Sequence, residues 1–274
     1  MRDPRSYLFV PGNRPDRFAK AAAAGADALI LDLEDAVGPS EKDDARVSVR
    51  RWFEGGGAGL VRVNGTDTPW FADDVAALAE LGPAAVMVPK ADRASLALAA
   101  RKLPGRALLA LVETVAGLAE LREAARMPGV ARLAFGNLDF GTDARVPPES
   151  PVLDAARVEL ALASRLADLP PPVDGVTMAL KDDAVLRADI QRACLSGFSA
   201  KLCIHPAQVE PVNSGFLPSA DELDWARRVL AALQTAGGSV VQLDGKMVDK
   251  PLIERAERIV AAMPDEPVPQ PGLG

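Results

Sequence analysis

Between residues 6 and 204 a short apolar run gives way to a helical pattern about eight times. The runs cover 6–10, 28–33, 60–63, 84–88, 107–112, 132–135, 173–177 and 200–204. The helical patterns between them cover 15–24, 40–53, 70–81, 93–102, 115–126, 153–169 and 182–195. Asn13 and Ser40 are the expected N-caps of the first two, and 136–151 reads as a long polar loop. The run at 107–112 is apolar throughout, as in a strand covered on both faces by helices. Eight such units at this spacing predict a (β/α)8 TIM barrel, an α/β fold of parallel strands. A doubly wound open sheet calls for a Gly-rich turn after the first strand, and Val10-Pro11-Gly12-Asn13 is not one.

The remainder differs in kind. A helix over 221–234 capped by Ser219, a hairpin over 239–248 turning at Asp244-Gly245, and a helix over 251–263 form a C-terminal helix–hairpin–helix extension. The expected division is a barrel over 1–218, an extension over 219–264 and a disordered tail over 265–274.

Composition narrows the function. The chain has 274 residues, 49% of them hydrophobic, enough for a sizeable core. A net charge of −7 argues against nucleic acid or an anionic membrane as partner. No apolar run reaches the roughly 18 residues of a membrane span. Cys194 and Cys203 fit neither a disulfide framework nor a zinc cluster, so reduced thiols in the cytoplasm are expected.

If all eight strands are parallel, their carboxyl ends share one mouth. Asp32, Glu34 and Asp35 end the second strand, and Arg62 and Asn64 the third. Lys90 follows the fourth, Glu113 the fifth, Asn137 and Asp139 the sixth, and His205 the eighth. Glu113 and Asp139 are candidate ligands of one divalent cation. With a single His in the chain and no Cys among these residues, a hard ion such as Mg²⁺ is favoured. A helix cap or a salt bridge explains a strand-end carboxylate equally well. Arg62 interrupts an apolar strand and needs an anionic partner, either a protein acid or a ligand carboxylate. Alternation puts Asp32 and Glu34 on one face, and one of them is a candidate to pair with Arg62 or to hold a metal-bound water, with a catalytic role open to Glu34. Lys90 suits an ion pair or substrate orientation. For His205 a structural hydrogen bond competes with catalysis, and Cys203 reads as packing.

Six motifs occur in order along the chain. They are Arg5-Ser6-Tyr7-Leu8-Phe9-Val10-Pro11-Gly12, Leu31-Asp32-Leu33-Glu34-Asp35-Ala36-Val37, Val61-Arg62-Val63-Asn64, Leu111-Val112-Glu113-Thr114, Gly136-Asn137-Leu138-Asp139-Phe140 and Lys201-Leu202-Cys203-Ile204-His205-Pro206. Together they resemble the citrate lyase β-subunit and malyl-CoA lyase group of the HpcH/HpaI aldolase superfamily. The resemblance implies a Mg²⁺-dependent carbon–carbon lyase that forms homo-oligomers, trimers or hexamers. Its substrate would be a citryl or malyl 3-hydroxyacyl thioester of CoA or a carrier protein. The products would be a 2-oxo acid, oxaloacetate or glyoxylate, and an acetyl thioester. It makes Glu113 and Asp139 the metal ligands and Arg62 the substrate-carboxylate arginine. Substrate binding falls to these three and to Gly136, Asn137 and Leu138. Asp249 corresponds to an acid offered from the adjacent subunit as a lid. Asp249, Glu34 and a metal-bound water are the candidate bases. Arg14, Arg17 and Lys20 are placed to meet the phosphates of the acyl carrier. Two alternatives stand beside this reading: a class II pyruvate-type aldolase with His205 as base, and a non-catalytic homologue that binds a 2-oxo acid and Mg²⁺.

Overall fold

A computed structural model of the chain describes residues 3–79, 81–82, 85–180, 182–236, 241–243 and 246–263. The strands are β1 (Ser6–Pro11), β2 (Ala28–Asp32), β3 (Leu60–Arg62), β4 (Ala85–Val88), β5 (Ala107–Val112), β6 (Val130–Phe135), β7 (Val173–Asp174) and β8 (Ala200–Cys203). They close in sequence order into an all-parallel barrel, β1 pairing with both β2 and β8. This is the (β/α)8 barrel that the sequence predicts.

Helices α1 (Pro15–Ala22), α2 (Lys42–Glu54), α3 (Phe71–Ala79), α4 (Arg93–Lys102), α5 (Val115–Ala119), α6 (Leu121–Ala124), α7 (Asn137–Asp143), α8 (Pro151–Leu166), α9 (Asp183–Leu195) and α10 (Val209–Gly215) alternate with the strands or follow the last. No helix among the described residues is long and apolar enough to cross a membrane.

Strand alternation splits the core into two layers. Tyr7, Ile30, Leu60, Met87, Leu109, Leu111, Ala134 and Leu202 fill the barrel interior. Leu8, Leu31, Val61, Val86, Leu108, Ala110 and Val112 pack outward in the larger cluster shared with the helices. The same alternation aims the polar strand ends. Glu113 follows Leu109 and Leu111 on the inward face. Asp32 follows Ile30, and Arg62 follows Leu60. The apolar parity of each strand therefore delivers its charged residue to the interior of the mouth.

Several local expectations are corrected. The loop expected over 136–151 contains α7, because Phe140 is buried against Phe135, 5.5 Å between ring centroids, and anchors two helical turns. Asn13 does not cap α1; Arg14 holds that position without a side-chain bond. Ser40 lies in a 3₁₀ turn, Pro39–Glu41, that precedes α2. The helix expected over 115–126 is broken into α5 and α6 at Glu120. A 3₁₀ turn, Pro206–Gln208, and α10 were not anticipated.

The chain divides into two compact units, Met1–Phe216 and Leu217–Gly274. The second contains α11 (Ala220–Ala236), the antiparallel pair β9 (Val241–Leu243) and β10 (Lys246–Val248), and α12 (Lys250–Ala261). Ser219 and Glu222 cap α11 reciprocally, each side chain accepting the other's amide at 3.2 and 3.0 Å. Among the described residues of this unit, Ala226, Val229 and Ala256 are the buried apolar ones. The hairpin turn at Asp244-Gly245 and the tail 265–274 lie outside the described residues.

Candidate active site

The carboxyl ends of the barrel strands surround a cavity of about 330 Å³. Asp32, Asp35, Arg62, Glu113, Asn137 and Asp139 line it, with Phe9, Leu111 and Leu202 as floor and wall. A larger cavity of about 500 Å³ lies at the opposite end, among Tyr7, Leu60, Leu109 and Trp52. Its guanidinium, Arg132, is spent on Pro4, Pro171, Tyr7 and Ser199, so the chemistry belongs to the smaller cavity.

Arg62 stands over the Phe9 ring, 4.8 Å from its centroid. Its Nε and Nη2 donate to the two oxygens of Asp32 at 2.7 and 2.6 Å. Nη1 donates to Asp35 at 3.3 Å and lies 2.9 Å from Glu34 Oε2. The partner demanded by a buried arginine is thus a protein acid. Asp32 accepts one hydrogen of Nη2, and Arg62 lines the cavity. Burial works to strip the guanidinium of its proton, and Asp32, Glu34 and Asp35 outweigh it, so Arg62 holds its charge more firmly than a free arginine.

Glu34 does not line the cavity. Its carboxylate is buried behind Arg62, and Oε2 has no hydrogen bond despite the close ion-pair contact. Burial pushes its pKa up to about 8; Arg62 pulls it down, while Asp35, Glu113 and Asp32 push the same way as burial. Asp32 and Asp35 are the members of the trio that line the cavity; Asp32 is buried and Asp35 largely exposed.

Glu113 is 2% exposed. Its Oε1 accepts the Lys90 amide at 2.8 Å, made available by a left-handed turn at Lys90, φ 48°. Oε2 faces Gly136. A Cβ at Gly136 would overlap the Cβ of Glu113 and stand 2.6 Å from that oxygen, so only glycine lets β6 end this close. Burial pushes the Glu113 pKa up to about 7; the Lys90 amide and Arg62 oppose it, and Asp139 and Asp35 add to it. Asp139, in the first turn of α7, is raised by burial and by Asp35. Glu113 is buried and Asp139 is exposed at the mouth; two carboxylates that repel each other over one cavity fit a cation. No group of three or more His, Cys, Asp or Glu among the described residues forms a metal cluster. A cation held by Glu113 and Asp139 would therefore complete its shell from water and substrate, which is the habit of Mg²⁺.

The other candidates resolve as follows. Gly136 donates its amide to Val112, leaving the first-turn amides at Asn137, Leu138 and Asp139 at the cavity. The Asn137 side chain is committed elsewhere: Oδ1 accepts from the Val176 amide at 2.9 Å and Nδ2 donates to the Val176 carbonyl at 3.2 Å. His205 is exposed and its Nδ1 accepts the Ala207 amide, so it caps a 3₁₀ turn and is not a base lining the cavity. The Lys90 ammonium is half-exposed, 3.9 Å from Glu34 Oε1. Arg14 is paired with Asp16, and Arg17 and Lys20 are exposed on α1. Buried Cys203 has its pKa pushed up to about 12 by burial, as suits a packing thiol. Asp249 belongs to the second unit, where it is exposed and its Oδ1 accepts the Leu252 amide as N-cap of α12.

Sequence reasoning missed Lys42, which is 5% exposed and donates to Leu33, Glu34 and Asn64 beneath the site. Its signal was present: Lys42, Ala45, Arg46 and Val49 share one face of α2, and two cations on an inward stripe require buried acceptors.

Residues 5–206 match the family model for HpcH/HpaI aldolase/citrate lyase. The chain belongs to that family. It is 37% identical over 267 residues to a (3S)-malyl-CoA thioesterase of Cereibacter sphaeroides, covering 94% of this chain and 93% of the relative. The structure of CitE from Mycobacterium tuberculosis in complex with magnesium, acetoacetate and coenzyme A superposes with a TM-score of 0.84 at 32% identity, covering 96% of this chain and 99% of that one. A citrate lyase β subunit from M. tuberculosis complexed with oxaloacetate and magnesium superposes with a TM-score of 0.71 at 32% identity, covering 78% and 96%.

Proposed function

We propose that the chain is a Mg²⁺-dependent carbon–carbon lyase acting on a malyl or citryl 3-hydroxyacyl thioester. The carrying observation is that one cavity is lined by two carboxylates, buried Glu113 and exposed Asp139, together with the Arg62 guanidinium. Carboxylates attract a hard cation and the guanidinium attracts a carboxylate, so a chelating 2-oxo acid satisfies both. The relatives with magnesium, oxaloacetate and coenzyme A support this reading.

In the cleavage direction the 3-hydroxyl gives up its proton and its carbon becomes the carbonyl of the 2-oxo acid. The bond between C2 and C3 breaks, and its electron pair becomes the enolate of the acetyl thioester, which then takes a proton at C2. Glu113 and Asp139 would hold Mg²⁺, which would supply Lewis-acid stabilisation of substrate oxygen. Arg62, held by Asp32, keeps an N–H for the substrate carboxylate. The first-turn amides of α7 add neutral donors to the same group. Asp35 is an acid of this unit that lines the cavity without being one of the two cation ligands, while Asp249 is the acid that the family resemblance places on an adjacent subunit of a homo-oligomer. The acyl arm, on CoA or a carrier protein, reaches the site past Arg17 and Lys20.

A second reading, thioester hydrolysis, is favoured by the relative named as a malyl-CoA thioesterase. One substrate separates the two. With (3S)-malyl-CoA and Mg²⁺ the lyase yields glyoxylate and acetyl-CoA and no free thiol. The hydrolase yields malate and a stoichiometric thiol. Citryl-CoA in parallel fixes the acid. Absence of turnover on both, with metal-dependent 2-oxo acid binding, leaves a binding protein.

A further inference from the structure

Asp32 at the end of β2 and Glu34 and Asp35 in the segment after it are the three acids that touch Arg62, and that segment is neither helix nor strand. Such a segment holds its shape only if side chains satisfy its backbone. From one side Asp32 does so: its Oδ1 accepts the Glu34 amide at 2.9 Å and its Oδ2 the Ala36 amide at 3.2 Å, while both oxygens also accept from Arg62. From the other side Lys42 does so. Its Nζ donates to the carbonyls of Leu33 at 2.7 Å and Glu34 at 2.8 Å. The third donor goes to Asn64 Oδ1 at 2.6 Å, at the end of β3, and the ammonium lies 5.0 Å from the centroid of the Trp70 ring.

Asn64 is itself fixed. Its backbone and side-chain amides both donate to Asp74 Oδ2, at 2.8 and 2.7 Å, and Arg46 Nη1 donates to Asp74 Oδ1 at 2.9 Å. One buried ammonium therefore cross-links the ends of β2 and β3. Those two ends carry the acids and the arginine of the ion cluster.

We propose that Lys42 is a positioning residue of the site: its ammonium fixes the Leu33–Glu34 backbone against Asn64, so that Asp32, Glu34 and Asp35 hold Arg62 aimed into the cavity. Lys42 does not line that cavity, and none of its three donors is free for a ligand. Its effect passes through Arg62. The proposal rests on the reading of Arg62 as the donor to a substrate carboxylate.

The test uses the full chain with Lys42→Met, Arg62→Met and the double variant, Mg²⁺ as metal and pyruvate as a stable 2-oxo acid. Calorimetry is expected to show pyruvate affinity about tenfold weaker in Lys42→Met, with Mg²⁺ affinity within about twofold of wild type. The double variant should bind pyruvate no more weakly than Arg62→Met alone, since both changes remove one interaction. Hydrogen exchange at the Glu34 and Ala36 amides should quicken at least about tenfold while β5 amides keep their protection. If Lys42→Met does not fold, Asn64→Ala removes one acceptor of the ammonium without stranding the carbonyls and should show the same pattern more weakly. Multiplicative losses in the double variant, or unchanged exchange at Glu34 and Ala36, overturn the proposal. Failure of the wild type to bind pyruvate with Mg²⁺ strikes the functional reading instead, and the exchange rates still decide the role of Lys42.

Discussion

At the scale of single residues, the cation site depends most narrowly on a missing side chain. Gly136→Ala places a methyl group where the Glu113 carboxylate now stands. The carboxylate has to leave its position against the Lys90 amide, so Mg²⁺ affinity by calorimetry is expected to fall at least about tenfold with a change of only a few degrees in Tm. Wild-type affinity in that variant would remove Glu113 from the ligand set. The same carboxylates set a pH dependence. Burial holds the folded pKa of Glu34 at about 8 and of Glu113 at about 7, against an ordinary value of 4.5. The folded chain therefore keeps protons that the unfolded chain gives up. The stability this confers is complete below 4.5 and is lost as pH rises through the folded values. Each pH unit over which one proton is retained amounts to about 1.4 kcal/mol. Metal-free protein is expected to melt at steadily lower temperature from about pH 5 to pH 8, and Glu34→Gln to flatten the upper part of that decline. A Tm that is level or rising across this range would contradict the burial of both acids. The sequence displayed these acids and placed Arg62 among them. It could not say that Asp32 would occupy Arg62, because that pairing depends on the register of β2 against β3, in which Asp32 and Arg62 are partners.

At the scale of elements, the strands were legible and the connections less so. Apolar runs between helices forced eight parallel strands, and their inward parity followed from alternation alone. The helix α7 was hidden because its sequence is polar apart from Leu138 and Phe140, and its stability comes from the packing of Phe140 rather than from a periodic stripe. The run at 173–177 was legible as a strand, but only Val173 and Asp174 form β7, and the structure shows why two residues suffice. Asp174 accepts Arg157 Nε at 2.8 Å and Lys201 Nζ at 2.9 Å, and Lys201 also donates to the Gly175 carbonyl at 2.8 Å. Asn137 then takes both backbone groups of Val176, and a Cβ at Gly175 would collide with its amide oxygen. The short strand is thus held by side chains from β6's end, α8 and β8. Burial alone would raise the Asp174 pKa, but Lys201 and Arg157 more than offset it and keep the acid ionised. Lys201→Met leaves this buried carboxylate with one cation in place of two. Urea unfolding should report a loss of about 3 kcal/mol, with Mg²⁺ affinity unchanged because the triad lies outside the cation site. A loss under about 1 kcal/mol would show that Arg157 alone supports β7.

At the scale of the whole molecule, the second unit poses the remaining chemical question. Among its described residues three apolar side chains are buried, with Trp225 stacked under Arg255 at 5.0 Å. The family resemblance assigns Asp249 to the site of an adjacent subunit, whereas its hydrogen bond within the chain makes it the cap of α12. A cap alone is worth about 1 kcal/mol and acts within its own subunit. An acid that completes a neighbour's site acts between subunits. Co-expression of Glu113→Ala and Asp249→Ala chains distinguishes the two. If Asp249 acts across subunits, the barrel of an Asp249→Ala chain retains its Glu113 and receives the intact acid from a Glu113→Ala neighbour. Mixed oligomers then turn over malyl-CoA or citryl-CoA although neither parent does. If Asp249 serves only its own chain, no mixed site holds both carboxylates in working order, and co-expression leaves activity where the inactive Glu113→Ala parent has it plus the unassisted contribution of the other. Recovery well above the sum of the separately purified variants is the expected result, and its absence would confine Asp249 to capping α12.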